Sequence, residues 1–141
     1  VNIDNLVYAI NIKEKTASLI GNTCTNENVI IPFSITYENQ EIIIQSIDDN
    51  SFKYAQTIKS IEISSNSKIH NIRKFAFYYS SIETVVIPPS VSELENGWCA
   101  FTPKLNNVII MPNNQNYKNY DDKIVIGKSD KKVTNLIFLF S

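Results

Sequence analysis

The chain has 141 residues, of which 13 are basic and 14 acidic, giving a net charge of −1. This is long enough for one domain with a real core and too evenly charged for a nucleic-acid surface, which concentrates cations. No segment reaches the ~18 apolar residues of a membrane-spanning helix, so no membrane insertion is expected within this chain. Isoleucine occurs 23 times, asparagine 18 and glycine only 3; β-branched side chains of this kind pack well on pleated surfaces and predict strands.

In chain order, Val7 to Ile12 and Thr16 to Ile20 form two apolar runs around the charged stretch Lys13 to Lys15, the pattern of a β-hairpin. Residues 1–28 are assigned to a hairpin cap over the open end of a repeat array, which otherwise exposes core and an unpaired strand edge. Residues 33–46 read as a second hairpin inserted in one coil, with Glu38, Asn39 and Gln40 near its tip.

The repeat itself comes next. Ile58-Lys-Ser-Ile61-Glu-Ile63, Ile82-Glu-Thr-Val85-Val-Ile87 and Leu105-Asn-Asn-Val108-Ile-Ile110 share the pattern apolar-x-x-apolar-x-apolar, at intervals of 24 and 23 residues. That interval lies within the roughly 20–29 residues of leucine-rich repeats. A second motif recurs out of phase with the first. Ile47 is followed five residues later by Phe52, Ile72 by Phe77, and Leu94 by Cys99, with Phe101 as the rival aromatic position in the third copy. The distances from these residues to the next hexad are 11, 10 and 11 residues. Each hexad is expected to end in a strand stopped by the Pro or Ser that follows, at Pro32, Ser64, Pro88 and Pro112, since proline cannot donate to a ladder. The chain would then drop Ile69 or Val91 inward and return through a short helical turn carrying Phe52 or Phe77. One coil cannot bury its apolar side alone, but stacked coils bury a continuous ladder. Coils are therefore assigned to residues 29–112. Residues 113–141 read as a terminal coil or the start of further repeats. With Val as first residue, the chain reads as a fragment or processed form of a longer protein.

The pattern Ile-x-x-x-(Ala/Ser)-Phe followed by (Leu/Ile)-x-x-(Val/Ile)-x-Ile-Pro, carried by Ile47 to Ile63, Ile72 to Pro88 and Leu94 to Pro112, resembles the BspA-type leucine-rich repeat. That class occurs in bacterial surface proteins and in surface families of trichomonads and Entamoeba. The front (Tyr8 to Ile20, then Val29 to Pro32) resembles the hairpin start of such arrays, and Asn116 to Ser129 is similar to a closing segment of some protozoan members. The resemblance implies a solenoid with a parallel sheet on one face, mostly β with short helical turns. It also implies a cell-surface or secreted setting, with a cytoplasmic one as the alternative.

Catalytic and metal constellations fail one by one. His70 is the sole histidine and falls in a turn. Cys24 and Cys99 are 75 residues apart, several coils in a solenoid and beyond the ~7 Å Cα limit of a disulfide, so two free thiols are expected, Cys99 as a small core hydrophobe. Gly127-Lys128-Ser129 lacks the glycine that a phosphate loop needs where Asp122 stands. Asp48 and Asp49 read as a cap on the turn that follows, and neither they nor Asp121 and Asp122 show calcium-loop spacing. No cofactor and no metal are expected, and no enzyme.

One surface follows from alternation along the strands. In register, Ile30, Glu62, Val86 and Ile109 form one outward column, and Asn28, Ser60, Thr84 and Asn107 form its neighbour. Three of the first four are apolar, the mark of a protein contact. The chain therefore reads as a non-enzymatic module for a protein partner, of host or self, in adhesion or recognition. The alternative is a structural or assembly protein of a larger intracellular complex. The oligomeric state is not legible.

Overall fold

In the computed structural model, which describes residues 1–121, 124–127 and 136–139, the chain opens with an antiparallel meander. It consists of β1 (Asn2–Ile3), β2 (Leu6–Asn11) and β3 (Thr16–Asn22). The two-residue turn from β1 to β2 places Asp4 and Asn5 at φ 52° and 66°, left-handed conformations that Asn and Asp tolerate and that match hairpin twist. β4 (Asn28–Ile31) follows, then the hairpin β5 (Ser34–Tyr37) and β6 (Gln40–Ile47), whose tip residues Glu38 and Asn39 repeat that turn geometry. The coils continue through β7 (Ser60–Ile63), β8 (Asn71–Ile72), β9 (Thr84–Ile87), β10 (Glu93–Leu94) and β11 (Asn107–Ile110). A second antiparallel meander closes the described chain: β12 (Tyr117–Asp121), β13 (Ile124–Gly127) and β14 (Leu136–Leu139).

Successive strands alternate between two parallel sheets, and this makes the solenoid. One sheet has the order β11-β9-β7-β4 and the other contains β3-β6-β8-β10. The first is the sheet of the hexads. The second is absent from the sequence reading, because β8 and β10 are two residues long and show no alternation. The cap shares β3 with the second sheet, where β3 pairs in parallel with β6. β5 and β6 pair as a hairpin, and β6 is at the same time the strand of its coil.

The inward row of the hexad sheet is Val29, Ile31, Ile61, Ile63, Val85, Ile87 and Val108, all buried. Ile69, Ile72, Val91 and Leu94 meet it from the other side. At the end of the coils Phe52 stacks on Phe77 (centroids 5.5 Å apart), and Phe77 meets Trp98 edge-on at 5.9 Å. The interior aromatic of the third copy is thus Trp98, neither Cys99 nor Phe101. That coil is one residue shorter between strand and aromatic, so counting five from Leu94 overshoots.

The expected short helical turns are pairs of tight turns. The amide of Ser51 donates to the Asp48 carbonyl and that of Ala55 to Phe52; in the next coil Ala76 donates to Arg73 and Ser80 to Phe77. The third residue of each turn has positive φ: Asn50 and Tyr54, then Phe75 and Tyr79, then Gly97 and Phe101 in the third coil. A positive φ every four residues is incompatible with a right-handed helix and belongs to turns that favour glycine at that position. The second turn of each pair is therefore a bend between sheets. Asp48 does not cap a helix; its carboxylate accepts from Ser46 Oγ at 2.7 Å and faces Arg73 at 3.4 Å.

At the far end, side chains stand in for the next strand. Asn119 Oδ1 accepts the Ile110 amide (2.9 Å), Asn119 Nδ2 donates to the Val108 carbonyl, and the Tyr117 hydroxyl accepts the Leu94 amide (2.8 Å). Free backbone groups on β11 and β10 are thereby satisfied, which blunts an edge that would otherwise pair with another chain. Asp122, Lys128 and Ser129, and residues 133–135 and 140, lie outside the described residues.

Candidate functional site

Parallel pairing without slip sets the outer surface of the hexad sheet. Ile30 faces Glu62, Glu62 faces Val86, and Val86 faces Ile109 across successive strands. Asn28, Ser60, Thr84 and Asn107 run alongside in the same register. Ile30 is 65% exposed and Ile109 39%, Glu62 is exposed, and Val86 is half-buried. In the polar row Ser60 Oγ donates to Asn28 Oδ1 at 2.6 Å, and beside it Lys59 pairs with Glu27 at 3.0 Å. Asn28 and Ile30 also rim a hollow of about 280 Å³ between the first meander and β4, whose wall includes Tyr8 and Cys24. Burial raises the Tyr8 phenol to about 12.

A second surface lies on the turns that lead into this sheet. Tyr54, Tyr79 and Phe101 occupy the same place in three successive turn pairs, at φ 61°, 53° and 55°, and are 58%, 49% and 64% exposed. Phe75, at φ 54°, joins them. A bulky residue in the left-handed region is an outlier that costs on the order of 1–2 kcal/mol. Tyr79 stacks on Phe101 (5.3 Å, 14° between planes), Tyr78 meets Phe101 and Phe75 edge-on, and Tyr54 tilts against Tyr78 and Tyr79. Lys53 holds its ammonium 5.0 Å from the Tyr54 ring centre and 5.6 Å from that of Tyr78. Gly97 makes room: a Cβ there would lie 2.7 Å from Phe75 Cε1. The sequence reading missed this edge. Its one signal was aromatic residues 25 and 22 apart, at positions where turn chemistry asks for Gly or Asn.

The residues tested for catalysis stand apart. His70 is exposed on the stretch before β8. Cys99 is buried and Cys24 half-buried, both as free thiols, and burial raises the pKa of each, which suppresses the thiolate that nucleophilic chemistry needs. Among the described residues no three His, Cys, Asp or Glu side chains group as a metal site, and no helix is long and apolar enough to cross a membrane.

A family model described as "BspA type Leucine rich repeat region (6 copies)" matches residues 22–121. Comparison with curated proteins gives no match. Among solved structures, the pneumococcal vaccine antigen PcpA is 14% identical, with 82% of this chain and 38% of that one covered and a TM-score of 0.53. A leucine-rich repeat protein from Bacteroides capillosus is 21% identical, with 79% and 97% covered and a TM-score of 0.50. One from Bacteroides ovatus is 16% identical, with 79% and 41% covered and a TM-score of 0.48. The chain thus spans about two fifths of the length of PcpA and of the B. ovatus protein. At these identities the likeness to PcpA and to the B. capillosus protein is one of fold.

Proposed function

The chain belongs to the BspA-type leucine-rich repeat family, and from that premise we propose that it is a non-enzymatic protein-binding module, used in adhesion or recognition at a microbial or protozoan cell surface. Repeat arrays of this kind present extended surfaces suited to protein contact. The observation that carries the reading is the outward row of the hexad sheet, where Ile30 and Ile109 stay exposed and Val86 half-exposed on either side of Glu62. Three exposed or half-exposed apolar side chains around Glu62, with the polar row of Asn28, Ser60, Thr84 and Asn107 alongside, make a mixed surface of the kind used in protein contacts. The description of PcpA as a vaccine antigen is in keeping with a surface setting. The partner of this reading is a folded protein, bound without cofactor or metal.

The test places a photo-crosslinking residue at Ile109 and, as a control, at His70, and exposes the labelled chain to intact cells. The expected result is a higher-mass protein adduct from position 109 alone, lost when Val86→Lys is added while unfolding stays within about 0.5 kcal/mol of the parent. Equal adducts at both positions, or an adduct that survives Val86→Lys, would contradict this face.

A further inference from the structure

We propose that the free edge of β4, with the hollow beside it, is a binding site for an extended segment of a protein partner, which adds to the hexad sheet as one more strand. The site adjoins the outward row at Asn28 and Ile30. It uses the backbone rather than the outer face, and it does not rest on the reading above.

Ladder geometry fixes which backbone groups are free. The Ser60 amide donates to the Glu27 carbonyl and the Ser64 amide to that of Ile31. With Asn28 beside Ser60 and Ile30 beside Glu62, the parallel pattern turns the amides of Val29 and Ile31 toward β7. The amides and carbonyls of Asn28 and Ile30 therefore point off the sheet. β4 is the end strand of that sheet, and among the described residues nothing hydrogen-bonds to these groups.

The opposite edge shows what such groups take. On β11 the corresponding groups, the Val108 carbonyl and the Ile110 amide, are met by the two ends of the Asn119 carboxamide, a peptide-like partner. One edge is thus blunted and the other is left as a template. With Asn119 in place, β11 of one copy does not pair with β4 of the next, so a strand from another protein is the occupant that fits.

The hollow supplies side-chain recognition. Asn28, Ile30 and Pro32, alternate residues along the free edge, line it. Its volume is about 280 Å³, and among its walls are the apolar side chains of Ile3, Leu6, Tyr8, Val29 and Ile35. A strand laid on β4 turns every second side chain the same way as Val29 and Ile31, toward these walls. The ligand is therefore a segment with apolar residues at alternate positions. Main-chain hydrogen bonds give it affinity and the hollow gives selection. The first meander stands across the hollow from β4, which suits one extended segment better than the edge of a second folded sheet.

The experiment pans a displayed library of random 12-residue peptides on the full chain. The recovered peptides are measured against three variants: Ile30→Pro, Ile30→Ala and Val86→Lys. Proline removes the free amide at 30 without removing a bond to β7, a position that an edge strand tolerates; alanine keeps the amide. Circular dichroism checks that each variant is folded. The expected result is enrichment of peptides with alternating apolar residues, bound about tenfold or more weakly by Ile30→Pro and within about threefold of the parent by Ile30→Ala. Val86→Lys should leave binding unchanged. Amide exchange followed by NMR on the parent chain needs no variant. In the free chain Asn28 and Ile30 should exchange at least about tenfold faster than Val29 and Ile31, and saturation with peptide should slow them by a factor of about ten or more. No enrichment, peptides without alternation, equal binding by Ile30→Pro, or free-chain protection of Asn28 and Ile30 equal to that of their neighbours would overturn the proposal. So would protection that rises with chain concentration alone, which would assign the edge to a second copy, or binding lost in Val86→Lys, which would assign the peptides to the outer face of the sheet.

Discussion

The strands of the hexad sheet and the turn pairs that lead into them recur once per coil, yet they follow opposite local rules. Along the sheet the choices agree with the backbone: β-branched residues occupy most extended positions, inward residues are apolar, and a Pro or Ser directly follows β4, β7 and β9. Along the turns the backbone asks for Gly or Asn, and the chain supplies Tyr54, Phe75, Tyr79 and Phe101. The buried side of the sheet is explained by stability alone. The turn edge is not, and this contrast separates a surface that folding requires from one that it merely tolerates.

The largest expected effect lies where both regions share the interior ladder. Phe77 is fully buried between Phe52 and Trp98. Phe77→Ala should cost about 3–5 kcal/mol in urea unfolding, the range for deleting a core aromatic. Because each coil contacts its neighbours first, protection from hydrogen exchange should fall most in β7, β8 and β9. An even loss over the whole chain would mean that the coils are not the units of stability.

Gly97→Ala sharpens the comparison on the turn side. It should cost about 1–2 kcal/mol for the left-handed backbone at φ 73°, plus whatever displacement of Phe75 demands. Repeating it in a Phe75→Ala background separates the two contributions, because the ring is gone and the backbone conformation is not. A cost identical in both backgrounds would show that Phe75 does not sit against Gly97.

The smallest effect is the most discriminating. Tyr54→Asn relieves a strained conformation and gives up tilted ring contacts of about 0.5–1.5 kcal/mol. The two nearly cancel, so stability should change by less than about 1 kcal/mol or rise slightly. A loss approaching that of Phe77→Ala would place Tyr54 among the structural aromatics.

The sheet was legible in the sequence because its signal is periodic and redundant. Ile61, Val85 and Val108 return at intervals of 24 and 23 residues, and a slip of one residue would expose every one of them. The register of Ile30, Glu62, Val86 and Ile109 follows from the same alternation. The second sheet was hidden because β8 and β10 are too short to alternate, and their place is set by closure of the coil. The interior role of Trp98 was missed for want of one residue in the third coil. The aromatic edge was hidden for a different reason. Which side of the bend a ring takes depends on φ at that residue, and an aromatic in the left-handed region is what propensity argues against. Edge-blunting by Asn119 and Tyr117 was equally out of reach, since it joins residues only through the stacking of coils.

The central claim is that successive coils bring residues about two dozen positions apart into adjacent places in one row. It is tested most directly by the distance between Ile30 and Ile109 at the two ends of that row. With Cys24→Ser removing the half-buried thiol, nitroxides on Ile30→Cys and Ile109→Cys should show dipolar broadening. Three strand spacings put their backbones about 14–15 Å apart. Absence of broadening, with the labels more than about 25 Å apart, would mean that the four strands do not lie side by side.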